Sequence, residues 1–177
     1  PLVLPPVVIG YLLLKACSPR GWLGQALAAA GLPVAFHWLG AVVAAAVVGF
    51  PLLVMMIALA MKAVDPRLET MSRALGRSPW QTFWRVTLPL CWPGILVGAA
   101  LSFARGLGEF GATIVLAGRI PGETETIPLR IYAELDAPGG EQRIAGLVLA
   151  AIAICLGAVI AARALDLWYR RRLEWER

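Results

Sequence analysis

Apolar residues run along this chain in blocks too long to be one face of a soluble helix. Between Arg20 and Lys62 no Lys, Arg, Asp or Glu occurs, and similar charge-free runs cover Val86 to Ala104 and Ile144 to Ala162. A helix needs about 20 such residues to cross a hydrocarbon core. The pattern predicts complete spans over residues 37–61, 93–116 and 144–163. An earlier apolar stretch, PLVLPPVVIGYLLL, predicts the remainder of a span over residues 1–16; it is too short to cross alone and starts on proline rather than methionine. It lacks a preceding basic segment and a following small-residue cleavage site, so it does not read as a signal peptide. The expectation is that a natural N-terminus precedes it.

The segment between the first two complete spans alternates differently. In VDPRLETMSRALGRSPWQTFWRVTLPLCWPG, residues 64–94, Leu68, Met71 and Leu75 recur at three and four to give one apolar stripe on a short helix. Asp65 suits the helix cap, Pro66 the first helical position, and Gly76 the stop. Ser78 and Gln81 have capping-box spacing for a second short helix, and Pro89 and Pro93 are expected to bend the chain into the next span. The prediction is a helix–glycine–helix elbow over residues 64–90. An amphipathic helix of this kind can adsorb on anionic headgroups or insert into a groove of a cytoplasmic partner, and the pattern alone leaves both open.

Composition agrees with the spans: 59% of residues are hydrophobic and 15% charged, and the mean hydropathy is +0.74. The chain reads as a single all-α integral membrane domain over residues 1–177. Charge then orients it. Lys62, Arg67, Arg73, Arg77 and Arg85 flank the elbow, and Arg163, Arg170, Arg171, Arg172 and Arg177 fill the tail. The segment between the last two spans sets Arg119 and Arg130 against Glu123, Glu125, Glu134, Asp136 and Glu141. Basic loops stay inside, so the elbow and the tail are expected in the cytoplasm and the acidic segment outside. The net charge of +5 is thus a topology signal; no basic groove or base-stacking series points to nucleic acid. Cys17, Cys91 and Cys155 stand singly, without zinc or redox spacing, and no His or Cys cluster suggests a metal site. No GxxxxGK[ST] phosphate loop occurs, so the chain does not cradle a nucleotide in that way.

Gly76, Val86, Leu88 and Pro89 stand in an arrangement that resembles the cytoplasmic-loop signature of ABC importer permeases: Glu-Ala-Ala, three residues, Gly, nine residues, Ile, one residue, Leu-Pro. Aligned on Gly76, the opening triplet falls on Thr70, Met71 and Ser72, so only the second half of the pattern is kept, and Glu69 lies one residue early. PLVLPPVVIGYLLL, ARGLGEFGATIVLAGRIPGETETIPLRIY and the PGG at 138–140, in order around that pattern, resemble the permease subunit of a molybdate ABC importer over nearly the whole chain. Gly-Glu-Phe-Gly-Ala at 108–112 is shared with sulfate importers; Thr113 through GRIPGETETIP is closer to the molybdate members. The resemblance implies a type I ABC importer transmembrane domain in a bacterial inner membrane, with a further N-terminal span. It implies a homodimer of permeases, two cytoplasmic ATPase subunits that bind ATP and magnesium, and a periplasmic protein that delivers molybdate or tungstate. This chain would bind no cofactor and hydrolyse nothing. Glu69, Thr70, Met71, Ser72, Leu75, Gly76, Val86, Leu88 and Pro89 would form the coupling surface. A sulfate or other oxyanion importer is the alternative; a secondary transporter would need no elbow and would show an internal repeat, which the sequence lacks.

Arg105 and Glu109 are the charges inside an otherwise apolar run. Four residues apart on a continuous helix, they share a face and neutralise each other, where an unpaired ion costs at least ~2.5–3.5 kcal/mol. Two readings stay open: a pair that locks the span against its neighbours, or an arginine that lines the path of a dianion with Thr113, Glu109 keeping it from binding too tightly. Gly106, Gly108 and Gly111 serve either. His37, beside Trp38 at a span start, reads as part of the interfacial belt. GRIPGETETIPLRIYAEL predicts turns and then a short surface helix on which Ile127, Leu129, Ile131, Tyr132 and Leu135 make a mixed pattern, as a lid or as a dock for the binding protein.

Overall fold

The computed structural model describes residues 4–19 and 21–175, with the side chains of all of these except Trp22, Ala28 and 169–175. Residues 1–3 of the predicted first span, Arg20, Arg177 and the side chains of Arg170, Arg171 and Arg172 therefore lie outside the described residues. The regular elements are helical: α1 (Pro6–Cys17), α2 (Trp22–Ala29), α3 (Trp38–Lys62), α4 (Pro66–Ala74), α5 (Pro79–Thr82), a π turn (Phe83–Thr87), α6 (Leu88–Leu107), α7 (Gly111–Leu116), α8 (Ile127–Glu134) and α9 (Gly140–Trp175). Among the described residues three helical runs, Trp38–Lys62, Pro79–Leu107 and Gly140–Trp168, are long and apolar enough to cross a membrane. None of the apolar window of the last run is buried within the chain, so lipid or another protein must cover it.

The chain divides into two compact units, Pro1–Pro51 with Phe103–Leu156, and Leu52–Ser102 with Gly157–Arg177. In the first, the core gathers Ile9 and Cys17 of α1, Val34, Ala44 and Val48 of α3, and Ala112 and Leu116 of α7. Here α1 and α7 touch backbone to backbone. A Cβ on Gly10 would lie 2.7 Å from the carbonyl oxygen of Ala112 and 2.8 Å from its Cα, so only glycine admits the contact.

The α7–α9 connection in this unit is held by charge. Glu125 accepts from Arg119 Nε at 2.8 Å and from Arg130 Nη1 at 3.0 Å; Glu134 pairs with Arg130 Nη2 and with Arg143 Nε, each at 2.7 Å. Five side chains thus alternate in sign from Arg119 to Arg143. Burial pushes the Glu125 carboxyl up, but the hydrogen bonds from Arg130 and Arg119 outweigh it and hold it below the usual range. The hydrogen bond from Arg143 holds Glu134 down in the same way, against a smaller effect of burial. Bonding to Glu125 raises Arg130 above an ordinary arginine.

In the second unit α6 lies on the end of α3 through a small-residue face. A Cβ on Gly94 would overlap the Cβ of Ala60, and one on Gly98 would lie 2.7 Å from the Cβ of Met56, the four-residue glycine spacing that lets membrane helices approach closely.

One expectation from the sequence needs correction. The span predicted over 93–116 is not one helix: α6 ends at Leu107 and α7 starts at Gly111. Gly106 and Gly108 weaken the helix there, Glu109 N–H turns back to the Gly106 carbonyl at 3.0 Å, and the Glu109 carboxylate takes the Ala112 N–H at 2.8 Å. A side chain has replaced a ladder bond. Pro89 and Pro93 both stand inside one continuous helical run, Pro79–Leu107. Proline at 89 cannot donate to the Arg85 carbonyl and its ring crowds that group. The π turn just before it, where Leu88 N–H reaches the Phe83 carbonyl five residues back, opens the helix enough to admit it.

Gly10→Ala should force α1 off α7 at a cost of ~1–3 kcal/mol, read as a lowered thermal midpoint of the purified chain in detergent; an unchanged midpoint would refute the close contact. The ladder predicts a pH effect. Glu125 and Glu134 titrate below their unfolded value of about 4.3, so their contribution is complete above that pH and is lost as pH falls through the lowered folded values. Amide exchange in residues 118–139, corrected for intrinsic rate, should be slow at neutral pH and accelerate below about pH 4. Equal protection at pH 7 and pH 3 would show that the carboxylates do not hold this segment.

Candidate functional site

The elbow is assembled from local rules. Asp65 accepts the Arg67 N–H at 2.9 Å and starts α4; Gly76, at φ +83°, ends it in a conformation strained for any residue with a Cβ. Ser78 and Gln81 exchange a reciprocal capping box, with Gln81 N–H to Ser78 Oγ at 3.3 Å and Ser78 N–H to Gln81 Oε1 at 3.1 Å.

The expected coupling residues divide between two faces of α4. Leu68 is exposed, Met71 is 64% exposed and Leu75 80%, so the apolar stripe stands uncovered. Thr70 is exposed too and bonds back to the Pro66 carbonyl at 3.0 Å. Glu69 and Ser72 point the other way. Ser72 Oγ meets Thr82 Oγ1 at 3.1 Å in a buried contact, and Thr87 Oγ1 donates to Glu69 Oε1 at 2.6 Å. Val86, Leu88 and Pro89 are half-buried along the helix that follows. Thr82 and Thr87 escaped the sequence reading. They are five apart, a spacing no α-helical face repeats, and only the π turn brings them to one side.

The second candidate lies in the other unit, at the break after α6. Glu109 is 2% exposed and binds at both oxygens: Oε2 accepts from Arg105 Nη1 at 2.8 Å and Oε1 from the Ala112 N–H at 2.8 Å. One carboxylate therefore neutralises the arginine and satisfies a free amide at the start of α7. Arg105 sits in the last turn of α6, where a cation complements the helix dipole, and 42% of its side chain stays open. The pair predicted from i, i+4 spacing forms, but across a helix break rather than along a continuous face. Thr113, expected beside Arg105, is 1% exposed within α7. A nearby groove of about 440 Å³, lined by Leu107, Phe110, Ile131, Tyr132, Leu135 and Cys155 among others, is apolar and suits no oxyanion. His37 Nδ1 accepts the Leu39 N–H at 3.3 Å at the start of α3.

Residues 1–174 match the family described as binding-protein-dependent transport system inner membrane component. The molybdenum transport system permease protein ModB of Escherichia coli (strain K12) is 52% identical over 157 residues, 88% of this chain and 69% of its own length. The protein of the same name from Haemophilus influenzae is 47% identical over 175 residues, 98% of this chain and 75% of its own. The sulfate transport system permease protein CysT of Escherichia coli (strain K12) is more distant, 37% identical over 162 residues, 90% of this chain and 58% of its own. A helical membrane chain with a capped elbow, matched almost end to end, belongs to the binding-protein-dependent transport system inner membrane component family, the membrane domain of type I ABC importers.

Proposed function

We propose that this chain is the membrane-spanning permease subunit of an ATP-driven importer that moves molybdate or tungstate inward. The observation that carries the reading is the elbow, an internally braced helix whose apolar stripe is left exposed by the described residues, in a sequence about half identical to molybdenum transport permeases. Such a stripe fits a groove on a cytoplasmic partner. That partner is an ATPase subunit, which binds ATP and magnesium and does the hydrolysis; this chain supplies the lever. Two permease copies flank the pathway, and a periplasmic binding protein hands over the oxyanion.

The charge asymmetry supports a cytoplasmic elbow and tail, with residues 118–139 on the outer side. The braced ladder from Arg119 to Arg143 then offers a firm surface for the binding protein to meet. Arg105 lines the route: its guanidinium is half open while Glu109, anchored to the Ala112 amide, holds it in place and limits its grip on a dianion. Thr113 acts from behind, through the packing of α7.

Leu75→Asp puts a charge into the docking stripe and should abolish co-purification of the ATPase without disturbing membrane insertion. Retained ATPase with full uptake of molybdate would remove the elbow from the coupling path. The ion pair separates locking from transport. Removing either partner leaves an uncompensated ion, so Arg105→Gln and Glu109→Gln alone should each lower complex yield, and the double variant should recover it. In liposomes with binding protein, ATP and molybdate, the recovered double variant should take up ~10-fold less per assembled complex, the size expected for one lost charged contact. Full recovery of uptake would make the pair structural only, and additive losses in the single variants would show that the two residues do not pair.

A further inference from the structure

The elbow is tied to the helix that follows by two side-chain bonds, and their geometry depends on the π turn. On α4, Glu69 and Ser72 are three apart and share a face. Their partners, Thr87 and Thr82, are five apart. In an α-helix, residues five apart diverge by roughly 140° around the axis, so one threonine would face α4 and the other would turn away. The π turn over Phe83–Thr87 stacks residues five apart instead, as the bond from Leu88 N–H to the Phe83 carbonyl records. Both hydroxyls then meet α4 at once. Ser72, Thr82 and Thr87 are all buried, and the Glu69 contact, at 2.6 Å from the Thr87 hydroxyl, has the length of a hydroxyl donating to a carboxylate.

We propose that Glu69 is a positioning residue for coupling: acting through Thr87, it clamps the docking helix α4 onto the π-turned start of the spanning helix, so that a push on the elbow moves the span with it. The inference rests on the importer reading above. It gives Glu69 a role separate from the docking surface, because the carboxylate faces the threonine pair while Met71 and Leu75 face outward. It also gives the π turn a purpose beyond accommodating Pro89. A regular helix at Phe83–Thr87 would keep one tie and lose the other, leaving α4 free to swivel on Gly76.

The test uses the complete importer in liposomes with the binding protein, molybdate and ATP, comparing Glu69→Ala, Thr87→Val, the double variant and Glu69→Gln. Each single variant should retain bound ATPase while molybdate transported per ATP hydrolysed falls about tenfold, the scale of one charged hydrogen bond. The double variant should lose no more than either single one, since both remove the same bond. Glu69→Gln keeps an acceptor for the Thr87 hydroxyl and should stay close to the unaltered protein. Amide exchange of residues 66–82, measured on the permease chain without ATPase, should quicken in Glu69→Ala and Thr87→Val alike. Unchanged exchange in either overturns the tie. Loss of bound ATPase in Glu69→Ala alone would make Glu69 a direct contact to the partner and overturn its positioning role. An unaltered complex that neither retains ATPase nor imports molybdate would remove the importer reading and the coupling role with it, while the exchange result would still stand on the tie itself.

Discussion

A helix interrupted at a buried site has no solvent to satisfy its freed backbone groups and must bring its own partners. The break after α6 meets that demand with a single carboxylate. Glu109 takes the Ala112 amide with one oxygen and the Arg105 guanidinium with the other, so the backbone group and the ion are satisfied together. The glycines on either side make the break possible, and Gly10 lets α1 lie directly against the short helix that results. Without Glu109 the start of α7 would expose an amide and Arg105 would keep an uncompensated charge.

The same constraint shapes the other end of α6. Pro89 would leave a carbonyl without its donor in a regular helix, and the π turn before it absorbs the misfit. That turn also alters which side chains face α4, and so a backbone defect becomes the means by which the elbow is braced. The elbow ends are closed by Asp65 and by the Ser78–Gln81 capping box, while its apolar stripe stays uncovered.

Charge is used differently in the two regions of the first unit. At the α6–α7 break a single pair is anchored to backbone; between α7 and α9 five side chains alternate in sign, and the carboxylates are the more buried members. Guanidinium groups turned outward over buried carboxylates keep their geometry because each is held from behind. A segment outside the membrane can be firm in this way without a large apolar core.

Much of this was legible in the sequence because it depends on neighbours along the chain. Charge-free runs located the long helices, since membrane depth excludes ions whatever the tertiary fold. Asp65, Gly76, Ser78 and Gln81 announced the elbow, since caps and left-handed turns are decided within a few residues. The Arg105–Glu109 pair followed from its spacing. Other features were hidden from the pattern of apolar and polar residues. The end of α6 at Leu107 required Glu109 to find the Ala112 amide, a bond competing with helix continuation. The partnership of Glu69 with Thr87 required a π turn, which shifts helical phase by a residue and so hides the pair from any search at three- and four-residue spacing. Sequence by itself determined where the long apolar runs lie and where the elbow turns, because those are short-range choices. Tertiary structure alone decided which face of the elbow looks inward, because that turns on contacts between two helices that meet only after folding.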